Sequence, residues 1–117
     1  MNTSIIYHNR RCSKCRAALA LLHQRGIEPR LIEYLKKPPS KAELADVLQT
    51  LGCADARQLM RNGEADYRDL GLDAPGLSQE FLLATLAEHP QLIERPIFVH
   101  QGRAVIGRPP EKVLEIL

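Results

Sequence analysis

Residues 4–24 read SIIYHNRRCSKCRAALALLHQ. Ser4-Ile5-Ile6-Tyr7 is short, apolar and β-prone, which predicts a first strand. His8 to Arg11 then form a loop. From Ser13 to about Gln24 the spacing of Ala18, Leu19 and Leu22 places them on one helical face, and Gly26 closes the helix. Cys12 and Cys15 sit where this loop enters the helix. Free N–H groups and the helix dipole favour an anion there, such as a thiolate. A strand, a CxxC loop and a helix in that order are the placement expected of a thioredoxin-like fold.

The rest of the chain extends that reading. Arg30 to Tyr34 is a second strand, with Pro29 just outside it. After the Pro38-Pro39 break, Ser40 and Glu43 fit a capping box. Leu44, Val47, Leu48 and Leu51 follow at helical spacing up to Gly52. Ala56 to Met60 reads as a short helix, and Asn62 to Gly76 as mostly loop. Ser78 caps a further helix carrying Phe81, Leu82, Leu83 and Leu86, which stops at His89-Pro90. Ile97-Phe98-Val99 and Ala104-Val105-Ile106 flank His100-Gln101-Gly102-Arg103, a hairpin signal. Pro109-Pro110 opens a last helix, with Val113, Leu114 and Leu117 toward the core. The expected architecture is α/β, a mixed sheet built β-α-β then β-β-α. One domain spans residues 1–117, with a helical insertion at about 40–92.

Composition narrows the function. The chain has 117 residues, 44% hydrophobic and 26% charged, with a net charge of +2. That balance excludes disordered and collagen-like classes. The charge is too small to argue for nucleic acid, and no apolar run approaches a membrane span. Charge follows the short apolar stretch in MNTSIIYHNRR, the reverse of a secretory signal, so a cytoplasmic protein is expected. Cys12, Cys15 and Cys53 are an odd set of thiols, which is no disulfide framework. A CxxC pair in a reducing compartment instead suggests redox chemistry or metal. Structural zinc needs four ligands, commonly two CxxC pairs or one with two histidines. Only one CxxC is present, and His23, His89 and His100 show no ligand spacing.

Cys12 has the setting of a nucleophile. A free thiol has a pKa of about 8.5, which a helix N-terminus and nearby cations lower to roughly 3.5–7.5. Arg11 adjoins Cys12, Lys14 and Arg16 lie in the first helical turn, and His8 could add charge or hold a water. The basic cluster reads as a site for a small anion. Cys15, one turn deeper, is either the thiol that resolves an adduct on Cys12 or a residue packed against the sheet. Cys53 reads as incidental. Further arginines stand at loop or element ends beside glycine or proline: Arg61 in LMRNGE, Arg95 in IERPI and Arg108 in IGRPPE. Guanidinium groups present paired donors to tetrahedral oxyanions and keep their charge.

IYHNRRCSKCR, LMRNGEADYRDLGL, HPQLIERPI and IGRPPEKVLEIL together resemble the ArsC-type, glutaredoxin-dependent arsenate reductase family. The resemblance runs in order over nearly the whole chain. It implies a thioredoxin-like fold with a helical insertion. It implies Cys12 as the nucleophile on arsenate, His8 and Asn9 as the motif histidine and asparagine, and Arg61, Arg95 and Arg108 around the oxyanion. Pro96 would be the cis-proline facing the cysteine, an isomer that costs an X–Pro bond only about 0.5–1 kcal/mol. Glutathione would be the co-substrate and glutaredoxin the protein partner. No bound cofactor or metal, no membrane and a monomer are expected. Two positions depart from the family pattern. Arg10 stands at the motif proline, and Cys15 where a serine or other non-thiol is usual. Under mild oxidant a Cys12–Cys15 disulfide is expected. Alternative readings are an Spx-type regulator, which carries a CxxC followed by arginine and binds RNA polymerase, and a general thiol-disulfide oxidoreductase.

Overall fold

The computed structural model describes residues 4–117. The chain divides into two compact units. One runs up to Lys37 and resumes at Arg95; the other is Pro38–Glu94.

The first unit holds β1 (Ser4–Tyr7), α1 (Ser13–Gln24), β2 (Arg30–Ile32), β3 (Ile97–His100), β4 (Arg103–Ile106) and a closing 3₁₀ helix (Pro110–Ile116). The sheet order is β2-β1-β3-β4. β1 is parallel to β2, which requires the crossover that α1 supplies. β1–β3 and β3–β4 are antiparallel. Ile6 lies opposite Phe98 in this register, and both are fully buried with Ala18 and Leu22 of α1 and Val113 of the closing helix. Burying each of the larger side chains is worth about 1.5–3 kcal/mol. This cluster fixes α1 against the sheet, and so fixes where its N-terminus lies.

Several local expectations need correction. β2 stops at Ile32 rather than Tyr34, because Glu33 O accepts from Lys36 N–H and Lys37 N–H and turns the chain. The hairpin is tighter than its sequence signal. Its strands run to His100 and from Arg103, and only Gln101 (φ 49°) and Gly102 (φ 80°) turn. Positive φ at both central residues matches the twist of paired strands. The last helix is 3₁₀, and Leu117 is exposed, since its tighter winding carries residue 117 away from the face of Val113.

Gly107 supports the loop that carries Pro96. A Cβ at this position would stand 2.9 Å from Pro96 Cγ and 3.0 Å from Val113 Cγ1. Neither atom can swing aside, so Gly107→Ala should destabilise the fold by about 1–3 kcal/mol. Urea unfolding measures this as a lower midpoint with an unchanged slope.

The second unit is helical. Ser40 Oγ accepts from Glu43 N–H and Glu43 Oε1 from Ser40 N–H, each at 3.1 Å, which starts α2 (Lys41–Thr50). Leu44, Val47 and Leu48 are buried; Leu51 caps the C-terminus. The stretch expected to be loop contains a five-residue helix, α3 (Ala65–Asp69), none of whose residues is buried. Its five residues, ADYRD, show no apolar periodicity to read. Tertiary bonds hold the chain beyond α3: Arg57 donates to Leu72 O at 2.7 Å and to Ala74 O at 2.6 Å. In α4 (Gln79–Glu88), Ser78 caps and Leu82, Leu83 and Leu86 are buried, but Phe81 is exposed, one residue round from that face.

Candidate active site

The site begins where β1 ends. His8 N–H donates to Ile32 O at 2.8 Å, extending the β1–β2 ladder by one residue. Asn9 then folds the loop. Its carbonyl accepts from Cys12 N–H and its side chain from Arg11 N–H, both at 3.0 Å. Cys12 emerges as the N-cap of α1 in extended conformation (φ −90°, ψ 121°), and its carbonyl accepts Arg16 N–H to begin the helix. No acidic residue occupies the first turn.

Burial works against the Cys12 thiolate, but the donors around it prevail. The Arg95 side chain, the Cys15 amide and thiol and the Lys14 amide together bring its pKa down to about 7. The neighbouring thiol behaves oppositely. Burial, with smaller contributions from its hydrogen bond to Cys12 and the Cys12 charge, pushes Cys15 up to about 11, although the Asn9 backbone acts in the other direction. Cys15 has no solvent exposure, whereas Cys12 is part-exposed. The two thiols are therefore unequal. One is an accessible thiolate near neutrality; the other is a buried thiol that gives its S–H to the first.

This inequality has a direct readout. Below about pH 7 Cys12 carries its proton; above it the thiolate dominates. The rate of alkylation by iodoacetamide at Cys12 should rise through a midpoint near pH 7, and Cys15 should stay unmodified until the protein unfolds. Site-resolved mass spectrometry across a pH series checks both.

The Arg95-Pro96 bond is cis, as is Arg108-Pro109. Arg95 is half-buried beside both Cys12 and Tyr34. Desolvation opposes its charge, but these two neighbours outweigh it and raise its pKa. Its Nε is buried with no hydrogen-bond partner among the described residues. His8 is 4% exposed, its Nδ1 is likewise unpartnered, and burial lowers its pKa, so the ring is neutral at physiological pH. Buried polar atoms without partners are costly, and a ligand that supplied acceptor oxygens would relieve that cost at Arg95. Arg108 is tied to the same loop through a 3.3 Å bond from Nη1 to Arg95 O.

Not every basic residue is available to an anion. Arg10 pairs with Glu33 at 3.0 Å, and Arg16 donates to Arg10 O at 3.2 Å. The Arg10–Glu33 pair is exposed and contributes little stability, but it ties the loop to the end of β2. The structure thus brings Cys12, Cys15, Asn9 and Arg95 together, with Arg108 hydrogen-bonded to Arg95, while His8 and Pro96 adjoin Asn9 and Arg95 in the chain. Arg61 belongs to the other compact unit, where it donates to Glu64 Oε1 at 2.9 Å and its N–H to Leu92 O at 2.7 Å. Sequence reading missed Tyr34 as a neighbour of Arg95. Its only signal was an aromatic hydroxyl just past β2, the strand whose end lies beside Tyr7. Among the described residues, no cluster of three or more His, Cys, Asp or Glu could hold a metal ion. Among them, too, no helix is long and apolar enough to cross a membrane.

The chain is similar to known proteins over nearly its whole length. Arsenate reductase of Haemophilus influenzae is 50% identical over 113 residues, covering 97% of each chain. The uncharacterised protein YfgD of Escherichia coli K12 is 50% identical over 112 residues, covering 96% of this chain and 94% of its own. The solved structure of arsenate reductase from Vibrio cholerae superposes with a TM-score of 0.96 at 51% identity, covering 99% of this chain and 98% of that one. The model of the ArsC family matches residues 7–116. With that span and these identities, the chain belongs to the ArsC family.

Proposed function

We propose that the chain is an arsenate reductase in which the Cys12 thiolate attacks arsenic(V) and glutathione supplies the reducing electrons. The observation that carries this reading is the Cys12 sulfur at the start of α1, beside Arg95 with its unsatisfied buried Nε. In the reaction, Cys12 sulfur bonds to arsenic and a hydroxide leaves as water after protonation. Arg95 and Arg108 offset charge on the remaining oxygens as they rearrange, donors already in place before the charge develops. Glutathione then reacts with the adduct and arsenite departs. Glutaredoxin clears the glutathione mixed disulfide. Overall, arsenate and two glutathione thiols give arsenite, glutathione disulfide and water. Two electrons pass from sulfur to arsenic, and none comes from a bound cofactor.

Arg61 is assigned as a further oxyanion donor from its LMRNGE segment, and Arg61→Ala in the same assay reads its contribution. His8 and Asn9 are positioning residues, one lining the site in neutral form and the other folding the loop. The reading also implies a glutathione-containing compartment such as the cytoplasm, and a monomer. Arsenate-dependent NADPH oxidation in the presence of glutathione, glutaredoxin and glutathione reductase tests it. Turnover should follow arsenate concentration and be inhibited by phosphate, a tetrahedral oxyanion of the same shape that accepts no electrons here. A rate equal to the enzyme-free blank would sink it.

A further inference from the structure

Cys15 is chemistry that the proposed reaction does not use. It is buried without exposure, three residues after Cys12, and its thiol favours the Cys12 thiolate as a hydrogen-bond donor. Residues at this spacing on a helix have Cβ atoms about 5–6 Å apart, and a disulfide brings them to about 3.5–4.5 Å. Closing a bridge therefore needs adjustment within one turn, at a helix end where Cys12 is outside the regular helix. The direction of attack is also set. Cys15 approaches from the buried side and Cys12 is reached from solvent. A group joined to the Cys12 sulfur from solvent thus leaves outward, away from the incoming thiol.

We infer that Cys15 is a resolving nucleophile: it displaces groups bound to the Cys12 sulfur and leaves a Cys12–Cys15 disulfide, so that the oxidised protein is recharged by a dithiol reductant. For a glutathione adduct, the Cys15 sulfur bonds to the Cys12 sulfur, the bond from Cys12 to glutathione breaks, and glutathione leaves with the electron pair. The proton of Cys15 ends on the departing glutathione. This rests on Cys12 being the nucleophile, as proposed above, but not on arsenate being its substrate. Timing comes from charge. While Cys12 is a thiolate, its charge helps to keep Cys15 protonated and idle. Bonding to Cys12 removes that charge and makes the inner thiol easier to ionise, with burial still the larger cause of its raised pKa. The same residue thus first donates to the thiolate and later resolves its adduct. A CxxC-type protein dithiol is the class of reductant suited to reopening such a bridge.

The test uses reduced, full-length protein treated with glutathione disulfide and read by intact mass and peptide mapping. Wild type should end lighter by two hydrogens, with Cys12 and Cys15 joined and no glutathione retained. Cys15→Ser, and Cys15→Ala as a second variant, should instead hold one glutathione on Cys12. At matched thiol concentration, dithiothreitol should restore free thiols in the oxidised wild type at least about tenfold faster than glutathione, because its second thiol closes the exchange within one molecule. Wild type that accumulates the same glutathione adduct as the variants, or a bridge to Cys53, overturns the inference. Failure of both wild type and variants to react would remove Cys12 as nucleophile and the inference with it. Wild type that forms the bridge yet shows no arsenate turnover would leave the inference standing and refute the arsenate reading alone.

Discussion

Cys12→Ser should lose arsenate-dependent NADPH oxidation to background, a fall of about 10³-fold or more in kcat/KM. A serine hydroxyl stays protonated under conditions where the Cys12 thiol is already ionising near pH 7. The donors that favour the thiolate cannot pull a hydroxyl's pKa down by the far larger amount needed. Because Cys12 is part-exposed at a helix N-cap, where serine is a preferred residue, the variant should fold normally. Its unfolding midpoint in urea should match or exceed that of wild type. Activity lost with stability intact assigns the effect to chemistry. Residual turnover comparable to wild type would mean that another group attacks arsenic.

Arg95→Ala should reduce kcat/KM by about 10²–10³-fold, the usual cost of removing one prepositioned donor from a developing oxyanion. It should also move the alkylation midpoint of Cys12 upward from about pH 7. Arg95 favours the deprotonated sulfur, so its removal makes the thiol harder to ionise. These two effects separate by experiment. Measured above the new midpoint, where Cys12 is again thiolate, the loss in rate that remains belongs to the oxyanion. Arg95→Lys keeps a charge but not the planar fork of donors, and should fall between. An unchanged alkylation midpoint in Arg95→Ala would dissociate Arg95 from Cys12.

Several elements were legible in the chain because each has a local cause. The apolar run Ser4–Tyr7, the periodicity of α1, the Ser40–Glu43 capping box and the glycine-bearing hairpin turn act over a few residues. Where the cause lay far away in sequence, the pattern was harder to read. α3 has no buried residue, and the chain beyond it is held by Arg57, well before it in sequence. Phe81 and Leu117 are apolar but exposed, since composition does not say which way a side chain turns.

The site shows the same division. The order of strand, CxxC loop and helix was set by the sequence alone, and with it the position of Cys12 at a helix start. A lowered pKa at Cys12 and a deeper Cys15 were legible too, but not a Cys15 thiol pushed up to about 11. Their neighbours in sequence are equally basic, and the difference arises from burial of one sulfur and from Arg95, which returns from β3's leading edge far along the chain. The sequence likewise could not show that Arg10 is paired with Glu33, nor that Tyr34 stands beside Arg95. Local propensity acts between near neighbours, whereas charge and desolvation act through space. Only the folded sheet brings residues 12, 34 and 95 close enough for one to set the proton affinity of another.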